Sequence, residues 1–496
     1  MTNKCISIDS LEKIDNSVLV YGHFSFIHHG HFRYLKNASK KASKLIVALI
    51  GDANDKYKFS QGERAEGLSS IELIDTIVLL HKNELAEAVF KIKPKEVVLG
   101  KEYEYSNNNF IDEVKKSIKS INSKITFHAG NVNYATSDFL TNSTNQLRRN
   151  KYNQFKLACQ KQNISEEDLY NTIDKFKYSS LIIIGDTILD QYSACEPLGM
   201  SAEAPLIVVK EIEYKNFIGG AAVVAANVKS LGGECNFISV IGGDQNSRIM
   251  RNEMDKIQIN HHFVEDQSRP TTFKKRYMVE NQKIFRVSKL SDESLSYEIE
   301  NRIISKLEEL APKADGIIIS DFVYGVITKR IIDKIRELSK KFSLKLFGDL
   351  QCSSQVGNIT KFENFELLCP NEKEARLAFQ DQRSGLEVLS KKLFSKTKCN
   401  RLIIKLGGNG FIAFDRDING QIESQSFPAL STNPLDVAGA GDCLLSIMAA
   451  GLSSGGEMMH AAAVSACGAA LSVENIGNIP LSKTLLKNKV KEIFQE

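Results

Sequence analysis

The sequence predicts an α/β protein built from two consecutive domains, each with a parallel sheet. Short runs of Val, Ile and Leu alternate with amphipathic stretches of ten or more residues, and this alternation stops and resumes partway along the chain. The length of 496 residues agrees with this, because one domain usually takes about 100–200 residues. We therefore expect two doubly wound domains, each large enough to bury its own core.

The first alternation runs from Val18 to about Leu140. Its apolar runs are SVLVYG, LIVALIGD, IDTIVLL and KEVVLG, and its helical stretches include HFRYLKNASKKA and LAEAVFKI. Apolar runs without polar alternation are typical of parallel strands covered on both faces. Residues 1–142 are therefore predicted to form the first domain.

The next stretch, residues 143–177, is polar and carries no strand signal, so we predict a linker ending in the helix NISEEDLYNTIDKFKY. A second alternation begins at Leu181 with LIIIGDTILD and continues through GIIISD, LKLFGD and RLIIKLGG to DVAGAGDCLLS. Residues 178–496 are predicted to form a second domain about twice as large as the first.

Composition excludes several classes of protein. The net charge of +4 is too small for a protein that coats nucleic acid or binds a membrane surface. The nine cysteines are scattered without a C-x-x-C pair, which indicates neither a zinc cluster nor a disulfide framework. Met1 to Asp15 lacks the apolar region of a signal peptide, and no apolar run approaches membrane-spanning length. We expect a cytoplasmic protein with reduced thiols and small-molecule partners.

A histidine-rich segment, YGHFSFIHHGH, follows the first predicted strand and opens a helix. His28 and His31 are three residues apart and would share one helix face, while Gly30 lets a phosphate approach the helix N-terminus. Two imidazoles there could stabilise charge on an attacked α-phosphate. The alternatives are a structural histidine cluster or a metal site formed by His28, His29 and His31.

This segment resembles the H-x-G-H nucleotidyltransferase superfamily, in particular the adenylyltransferase part of the bifunctional heptose kinase/adenylyltransferases of lipopolysaccharide core biosynthesis. The resemblance covers about Val18 to Leu140 and implies a Rossmann-like nucleotidyltransferase domain in which His28 and His31 are catalytic. The nucleotide- or phosphate-binding residues that it implies are Gly22, Gly30, Arg64, Thr136 and Ser137. Ser25 stands where the family usually has Asp.

A second motif, DVAGAGD, spans Asp436 to Asp442 and precedes the helical CLLSIMAAGL. Small residues at a helix N-terminus expose consecutive backbone N–H groups that bind phosphate oxygens, and Asp442 could take a proton from a sugar hydroxyl. The spacing predicts a phosphoryl-transfer site. Any one of these residues could equally be a turn aspartate or a packing glycine.

The motif is similar to the D-x-x-G-A-G-D signature of the ribokinase-like (PfkB) sugar kinases, and its companions follow in that family's order. Within these kinases, SAEAPLIVV and PTTFKKR resemble the heptose 7-phosphate kinases, although Asp349-Leu350-Gln351 replaces their usual D-P-K. The resemblance implies that Asp442 is the catalytic base. The phosphate- and nucleotide-binding residues that it implies are Asn371, Glu374, Lys405, Gly407, Gly410, Ala438, Gly439, Ala440 and Gly441. The substrate-binding residues that it implies are Asp186, Asp190, Gly219, Gly220, Asn227, Lys274, Arg276 and Arg286.

Together the two resemblances imply an enzyme that phosphorylates heptose 7-phosphate at C1 and transfers an adenylyl group to heptose 1-phosphate, giving ADP-heptose. ATP would be the co-substrate, and Asn371 and Glu374 would hold Mg²⁺ through water. A separate phosphatase must act between the two steps, and the domain order is the reverse of that usual in the family. The alternatives are a kinase/cytidylyltransferase for another sugar or polyol phosphate, and an active kinase joined to an inactive first domain.

We also expect a small β lid on the kinase domain. Alternating apolar residues suit an antiparallel ribbon of residues 203–215 with residues 271–289. Related kinases commonly dimerise through such a lid, so the resemblance implies a homodimer.

Overall fold

The computed structural model divides the chain into two compact units. The described residues are 4–24, 27, 29–52, 59–81, 84–100, 109–128, 144–201, 203, 206–280, 282–352, 355–417 and 419–496. One unit comprises Met1–Leu147 and Gln380–Lys392, and the other comprises Arg148–Phe379 and Leu393–Glu496. No helix in the described part of the chain is both long and apolar enough to cross a membrane.

The first unit contains a six-stranded sheet in the order β1-β4-β3-β2-β5-β6, in which every pairing is parallel. Its strands are β1 (Cys5–Ser7), β2 (Ser17–Gly22), β3 (Lys44–Leu49), β4 (Thr76–Leu79), β5 (Glu96–Gly100) and β6 (Lys124–His128). Its helices are α1 (His29–Ser39), α2 (Gln61–Ser69), α3 (Leu85–Ile92) and α4 (Asn109–Ser120). Side chains of α1 and α2 pack on one face of the sheet, and those of α3 and α4 on the other.

Strand β2 is the point at which the strand order reverses, because β3 follows on one side of it and β5 lies on the other. Its residues Val18, Leu19 and Val20 are fully buried, which explains the continuous apolar run in the sequence. Ligands of open α/β sheets bind at the carboxyl ends of the strands where the order reverses. The histidine-rich segment follows Gly22 at this end of β2.

The second unit is built on a nine-stranded sheet in the order β11-β10-β7-β14-β15-β16-β17-β18-β19, with the last two strands antiparallel to their neighbours. The strands from residue 180 onward are β7 (Ser180–Gly185), β8 (Thr187–Met200), β9 (Ile207–Gly220), β10 (Glu234–Ile241), β11 (Asn260–Glu265), β12 (Phe273–Val279), β13 (Gln282–Lys289), β14 (Gly316–Asp321), β15 (Lys345–Leu350), β16 (Leu367–Leu368), β17 (Arg401–Lys405), β18 (Phe411–Arg416) and β19 (Ile422–Phe427). The helices from residue 144 onward are α5 (Thr144–Lys161), α6 (Glu166–Lys175), α7 (Ala221–Ser230), α8 (Gln245–Lys256), α9 (Tyr297–Leu310), α10 (Lys329–Phe342), α11 (Glu372–Leu377), α12 (Leu386–Thr397), α13 (Ala440–Ser453), α14 (Met458–Val473) and α15 (Lys483–Gln495).

The stretch predicted as a linker with one helix contains two helices, α5 and α6. In α5, Tyr152, Phe155 and Cys159 recur at helical spacing and are buried in the core of the second unit. Because polar residues surround them, their periodicity is weak in the sequence. A capping box between Ser165 and Asp168 begins α6.

The predicted lid is present as a four-stranded sheet in the order β13-β12-β8-β9. The pairing within it differs from the prediction, because β9 pairs antiparallel with β8 and β12 pairs antiparallel with β13. The two ribbons join through a parallel pairing of β12 with β8. The sequence pattern identified the strands but placed residues 203–215 beside the wrong partner, because alternation does not specify which strands pair.

Candidate active sites

In the first unit, Phe24, just after β2, lies against the first turn of α1. Phe24 adopts a positive φ of 51°, and its ring lies 5.0 Å from the His31 ring, centroid to centroid. A Cβ at Gly22 would lie 3.0 Å from the Phe24 ring, so the close return of the chain favours glycine there. Gly30 lies in the first turn of α1, where a phosphate could approach the exposed N–H groups. His28, Thr136 and Ser137 lie outside the described residues.

Arg64 is buried and donates hydrogen bonds to the loops around it. It is 3% exposed, and its guanidinium donates to the carbonyl oxygens of His23 (2.6 Å), Ile50 (2.9 Å) and Phe59 (3.2 Å) and to Asp52 Oδ1 (2.7 Å). Burial, followed by the charge of Arg64, lowers the pKa of His23 to about 4. The phosphate-binding role expected of Arg64 is therefore not the one seen in this geometry, where Arg64 braces the loops that follow β2 and β3.

In the second unit, the DVAGAGD motif forms the N-terminus of α13. Gly439 caps this helix with a φ of +80°, and a Cβ there would lie 2.4 Å from Asn478 Oδ1, so the position requires glycine. The first N–H groups of a helix have no acceptor within the helix, which leaves those of Gly439, Ala440 and Gly441 suited to an anion. Asp442 follows in the same turn and is 5% exposed.

Ala438 was expected to contribute its N–H to the same anion site. In the structure this N–H donates to Asp436 Oδ1 at 3.0 Å and is therefore already used. Asp436 also accepts from the Tyr192 hydroxyl (2.6 Å) and from Lys283 Nζ (2.7 Å). Burial alone would raise the pKa of Asp436, but the hydrogen bonds from Lys283, Tyr192 and Ala438 outweigh it and lower the pKa. Two lid strands thus contact the first residue of the motif.

Asp349, at the end of β15, and Lys405, at the end of β17, form a buried ion pair beside the motif. Lys405 Nζ lies 2.8 and 2.6 Å from the two carboxylate oxygens of Asp349. A Cβ at Gly441 would lie 3.2 Å from Lys405 Nζ, which places the pair against the anion site. Burial opposes the charge of Lys405, but Asp349 and then Glu374 outweigh this effect and raise the pKa of Lys405.

Asp442 lies among acidic neighbours. Burial, together with the negative charges of Asp349 and Asp190, raises the pKa of Asp442 to about 7, against the opposing effects of Lys405 and Gln351. Gln351 Nε2 donates to Asp442 Oδ1 at 2.8 Å. A carboxyl group with a pKa near neutrality suits general base catalysis.

Asn371 and Glu374 form a capping box at the start of α11. Glu374 accepts from the backbone N–H of Asn371 (2.8 Å) and of Cys352 (3.1 Å), which leaves lone pairs on both oxygens for water. When ionised, Glu374, Asp349 and Asp442 carry two more negative charges than Lys405 balances, and a divalent cation would offset this excess. Within the described part of the chain, no group of three or more His, Cys, Asp or Glu side chains is arranged to hold a metal directly. The residues therefore fit a Mg²⁺ held through phosphate oxygens and water.

Asp190 lies at the junction of the lid and the main sheet. It forms an ion pair with Arg276 and lies 3.4 Å from Asn478 Nδ2. A Cβ at Gly219 would lie 2.4 Å from Asp190 Oδ2, and one at Gly220 would lie 2.3 Å from a backbone oxygen. Gly219 therefore allows β9 to approach Asp190, and Gly220 allows the start of α7 to approach the backbone of Asp186.

Asp186 and Asn227, two of the residues expected to bind substrate, hydrogen-bond to backbone groups. Asp186 is 1% exposed and accepts from the backbone N–H groups of Phe322, Tyr324 and Val326, which holds the turn after β14. Burial and then Asp321 raise the pKa of Asp186. Asn227 Oδ1 accepts from the Leu481 N–H at 3.1 Å. Both side chains are buried and hydrogen-bond to backbone groups in this structure, and their substrate-binding role stays a prediction.

The basic residues expected to bind substrate occupy different environments. Lys274 is 3% exposed, and its Nζ lies 5.4 and 5.1 Å from the ring centroids of Phe322 and Tyr324. Arg276 is paired with Asp190, and Arg286 is exposed on the lid opposite Arg276 in register. Lys274 and Arg276 are thus enclosed on one face of the lid, and Arg286 lies on the same face of the neighbouring strand β13, where it is exposed.

Gly407 and Gly410 shape the turn between β17 and β18. Both have positive φ, 60° and 82°. A Cβ at Gly410 would lie 2.0 Å from the Phe427 oxygen, whereas one at Gly407 would meet open space.

Sequence reasoning assigned no role to Asp349, Gln351, Tyr192, Lys283 or Asn478. The only signal for the first two was the departure of Asp349-Leu350-Gln351 from D-P-K. The other three reach the motif from lid strands or from the segment after α14, and such long-range contacts leave no local pattern.

Two family models match the chain. The model "pfkB family carbohydrate kinase" matches residues 179–485, more than half of the chain, and the model "Cytidylyltransferase-like" matches residues 19–288. The two matches overlap at 179–288, which the structure places in the second unit, so the first sheet carries the cytidylyltransferase-like similarity.

Curated relatives include the bifunctional protein HldE of Campylobacter jejuni subsp. doylei, 29% identical over 319 residues, which cover 64% of this chain and 66% of the relative. The bifunctional protein HldE of Geotalea uraniireducens is 30% identical over 305 residues, 61% of each chain. The chain thus spans somewhat less than two thirds of the length of these relatives.

Solved structures show the fold of the second unit. Phosphofructokinase-2 from Escherichia coli, in complex with substrates and products, has a TM-score of 0.54 and 14% identity over 64% of this chain and 99% of that chain. Ribokinase from Giardia lamblia has a TM-score of 0.51 and 17% identity, over 64% of this chain and 100% of that chain. The predicted ribokinase-like fold is confirmed.

Proposed function

The chain belongs to the pfkB family of carbohydrate kinases and joins a cytidylyltransferase-like unit to that kinase, and from this we propose that it is a bifunctional sugar-activating enzyme. The second unit phosphorylates heptose 7-phosphate at C1, and the first transfers an adenylyl group to heptose 1-phosphate. ATP is the co-substrate of both reactions. The combination supports this proposal because it is the one found in the bifunctional heptose kinase/adenylyltransferases that the sequence resembles.

The observation that carries the kinase assignment is a buried carboxylate, Asp442, in the first turn of α13, where the N–H groups of a helix have no acceptor within the helix. The sugar hydroxyl gives its proton to Asp442, its oxygen bonds to the γ-phosphorus of ATP, and the bond to the β–γ bridging oxygen breaks to release ADP. The N–H groups of Gly439, Ala440 and Gly441 stabilise charge on the transferred phosphoryl group. Asp190 and Arg276 at the lid junction orient the sugar.

Asn371 and Glu374 would hold Mg²⁺ through water. When bound, Mg²⁺ supplies positive charge to the ATP phosphates. Lys405 does not take the place of Mg²⁺, because the charge of Lys405 is paired with Asp349.

In the first unit, a phosphate oxygen of the sugar 1-phosphate attacks the α-phosphorus of ATP, and pyrophosphate leaves. His28 and His31 stabilise the charge that develops there, and Gly30 allows the phosphate to approach α1. Arg64 acts indirectly by fixing the loop that begins at His23.

The experiment that tests this function is phosphorus NMR of the full chain with ATP, Mg²⁺ and a panel of sugar phosphates. A new anomeric phosphate on heptose 7-phosphate alone is the expected result for the kinase. Supplying heptose 1-phosphate with ATP or CTP then tests the first unit. If only another sugar is phosphorylated, heptose is not the substrate. If only CTP is used, the first unit is a cytidylyltransferase. If the first unit is inert, the enzyme is a kinase alone.

We also propose that the chain forms a homodimer through the lid. The lid strands expose large apolar side chains, a surface that is usually covered in a stable protein. These are Leu198, Met200, Ile207, Val208, Ile212, Tyr214, Phe285 and Val287.

A further inference from the structure

Gln351 stands at the position of Lys in the D-P-K of the heptose 7-phosphate kinases, and no role was expected of it. It follows β15 directly, and its backbone N–H donates to the Asp321 oxygen at 2.8 Å, which continues the pairing of β15 with β14. Its side-chain Nε2 donates to Asp442 Oδ1 at 2.8 Å. Two hydrogen bonds therefore fix Gln351, one to the sheet and one to the base.

Among the described residues, Gln351 is the one side chain that donates a hydrogen bond to Asp442. Lys405 is close but forms its hydrogen bonds with both oxygens of Asp349. Asp442 Oδ1 is thus held by a neutral amide, while Oδ2 has no described side-chain donor and can accept a proton from a hydroxyl.

We infer that Gln351 is a positioning residue for Asp442, which fixes one carboxylate oxygen without adding positive charge and so sets the pH range in which the base is ionised. This inference rests on the proposed kinase function. It adds a residue to the machinery that acts through Asp442 and does not contact the transferred phosphoryl group.

The charges around Asp442 explain why a neutral donor matters. Asp349 from β15 and Asp190 from β8 raise the pKa of Asp442, whereas Lys405 from β17 lowers it, and the Cys443 thiol adjoins it on α13. An adjacent cation typically lowers the pKa of a carboxyl by about 1–3 units. A cation at position 351 would therefore make Asp442 a weaker base, and removing the donor would make it harder to ionise.

Two substitutions test this in opposite directions. Gln351→Lys introduces a positive charge, and Gln351→Met removes the donor at similar size. In kcat measured against pH with saturating ATP, Mg²⁺ and sugar phosphate, we expect the acid limb to move down by about 1 pH unit for Gln351→Lys. For Gln351→Met we expect it to move up, with kcat at pH 7 several-fold lower and the KM for ATP unchanged.

The matched control is Gln162→Met, because Gln162 Nε2 donates to an exposed carboxylate, Glu423, at 3.1 Å. This variant should keep the wild-type pH profile. General damage to the fold would lower kcat at every pH without moving the acid limb, so it is distinguishable from the expected result even if one Gln351 variant folds poorly.

Asp442→Asn separates the inference from the function on which it rests. If this variant phosphorylates sugar as well as the wild type, the kinase assignment of Asp442 fails. If it is inactive but both Gln351 variants keep the wild-type acid limb, only the inference about Gln351 is overturned.

Discussion

Asp442, the proposed catalytic base, lowers the stability of the folded protein when it is ionised. Its pKa in the folded protein is about 7, against 3.8 for an ordinary Asp, so the folded state binds this proton more tightly than the unfolded state does. Stability contributed by the protonated carboxyl is therefore present below about pH 4 and is lost as the pH rises to about 7. The kinase activity should change with pH in the opposite direction, rising as the pH rises, because only the ionised carboxylate accepts a proton.

We therefore predict that Asp442→Asn raises the melting temperature at pH 8 by several degrees and changes it little at pH 4, because the amide needs no ionisation. Thermal unfolding of both proteins across this range checks the prediction. An equal shift at both pH values would show that the carboxyl charge is not responsible. For the wild-type kinase, kcat should fall as the pH drops below about 7.

Arg64 leads to a prediction about stability in the first unit. Arg64→Ala removes its hydrogen bonds to the His23, Ile50 and Phe59 oxygens, and each such bond contributes about 0.5–1.5 kcal/mol. We expect a loss of about 3 kcal/mol in the free energy of unfolding, measured by denaturant titration. Lys119→Ala, at an exposed position on α4, is the control and should change it by less than about 0.5 kcal/mol. A small effect of Arg64→Ala would contradict the bracing role.

The turn between β17 and β18 carries a prediction at the scale of an element. Gly407→Ala meets open space but retains a left-handed backbone, which costs about 1–2 kcal/mol. Gly410→Ala adds a collision with the Phe427 oxygen and should destabilise the second unit clearly more. Thermal unfolding of the two variants side by side measures the difference, and equal melting temperatures would contradict the close packing at Gly410.

The sequence predicted elements best where their signal is local. Apolar runs identified the buried strands, and the DVAGAGD spacing identified the helix N-terminus that carries Asp442. Pairing of the lid strands was wrong because alternation is the same for any partner, and α5 was missed because Tyr152, Phe155 and Cys159 are its few apolar anchors. Asp186 and Asn227 are residues of the types that bind sugar hydroxyls. Only the fold shows that their side chains accept hydrogen bonds from backbone N–H groups.

At the scale of the whole molecule, the exposed apolar lid predicts association of two chains. Ile212→Glu, at a position 66% exposed, should convert a dimer to a monomer in light scattering coupled to gel filtration. Leu485→Glu, on α15 and 51% exposed, is the control and should leave the dimer intact. A monomeric wild-type protein, or a dimer unaffected by Ile212→Glu, would contradict assembly through the lid.

If each unit carries its own active site, a substitution in one site leaves the reaction of the other unit intact. Wild type, Asp442→Asn and His31→Ala are each assayed by phosphorus NMR for phosphorylation of heptose 7-phosphate and for nucleotidyl transfer to heptose 1-phosphate. We predict that Asp442→Asn loses only the first reaction, by a factor of about 10² or more, and that His31→Ala loses only the second. Loss of both reactions in either variant, or loss of neither, would contradict the assignment of one reaction to each unit.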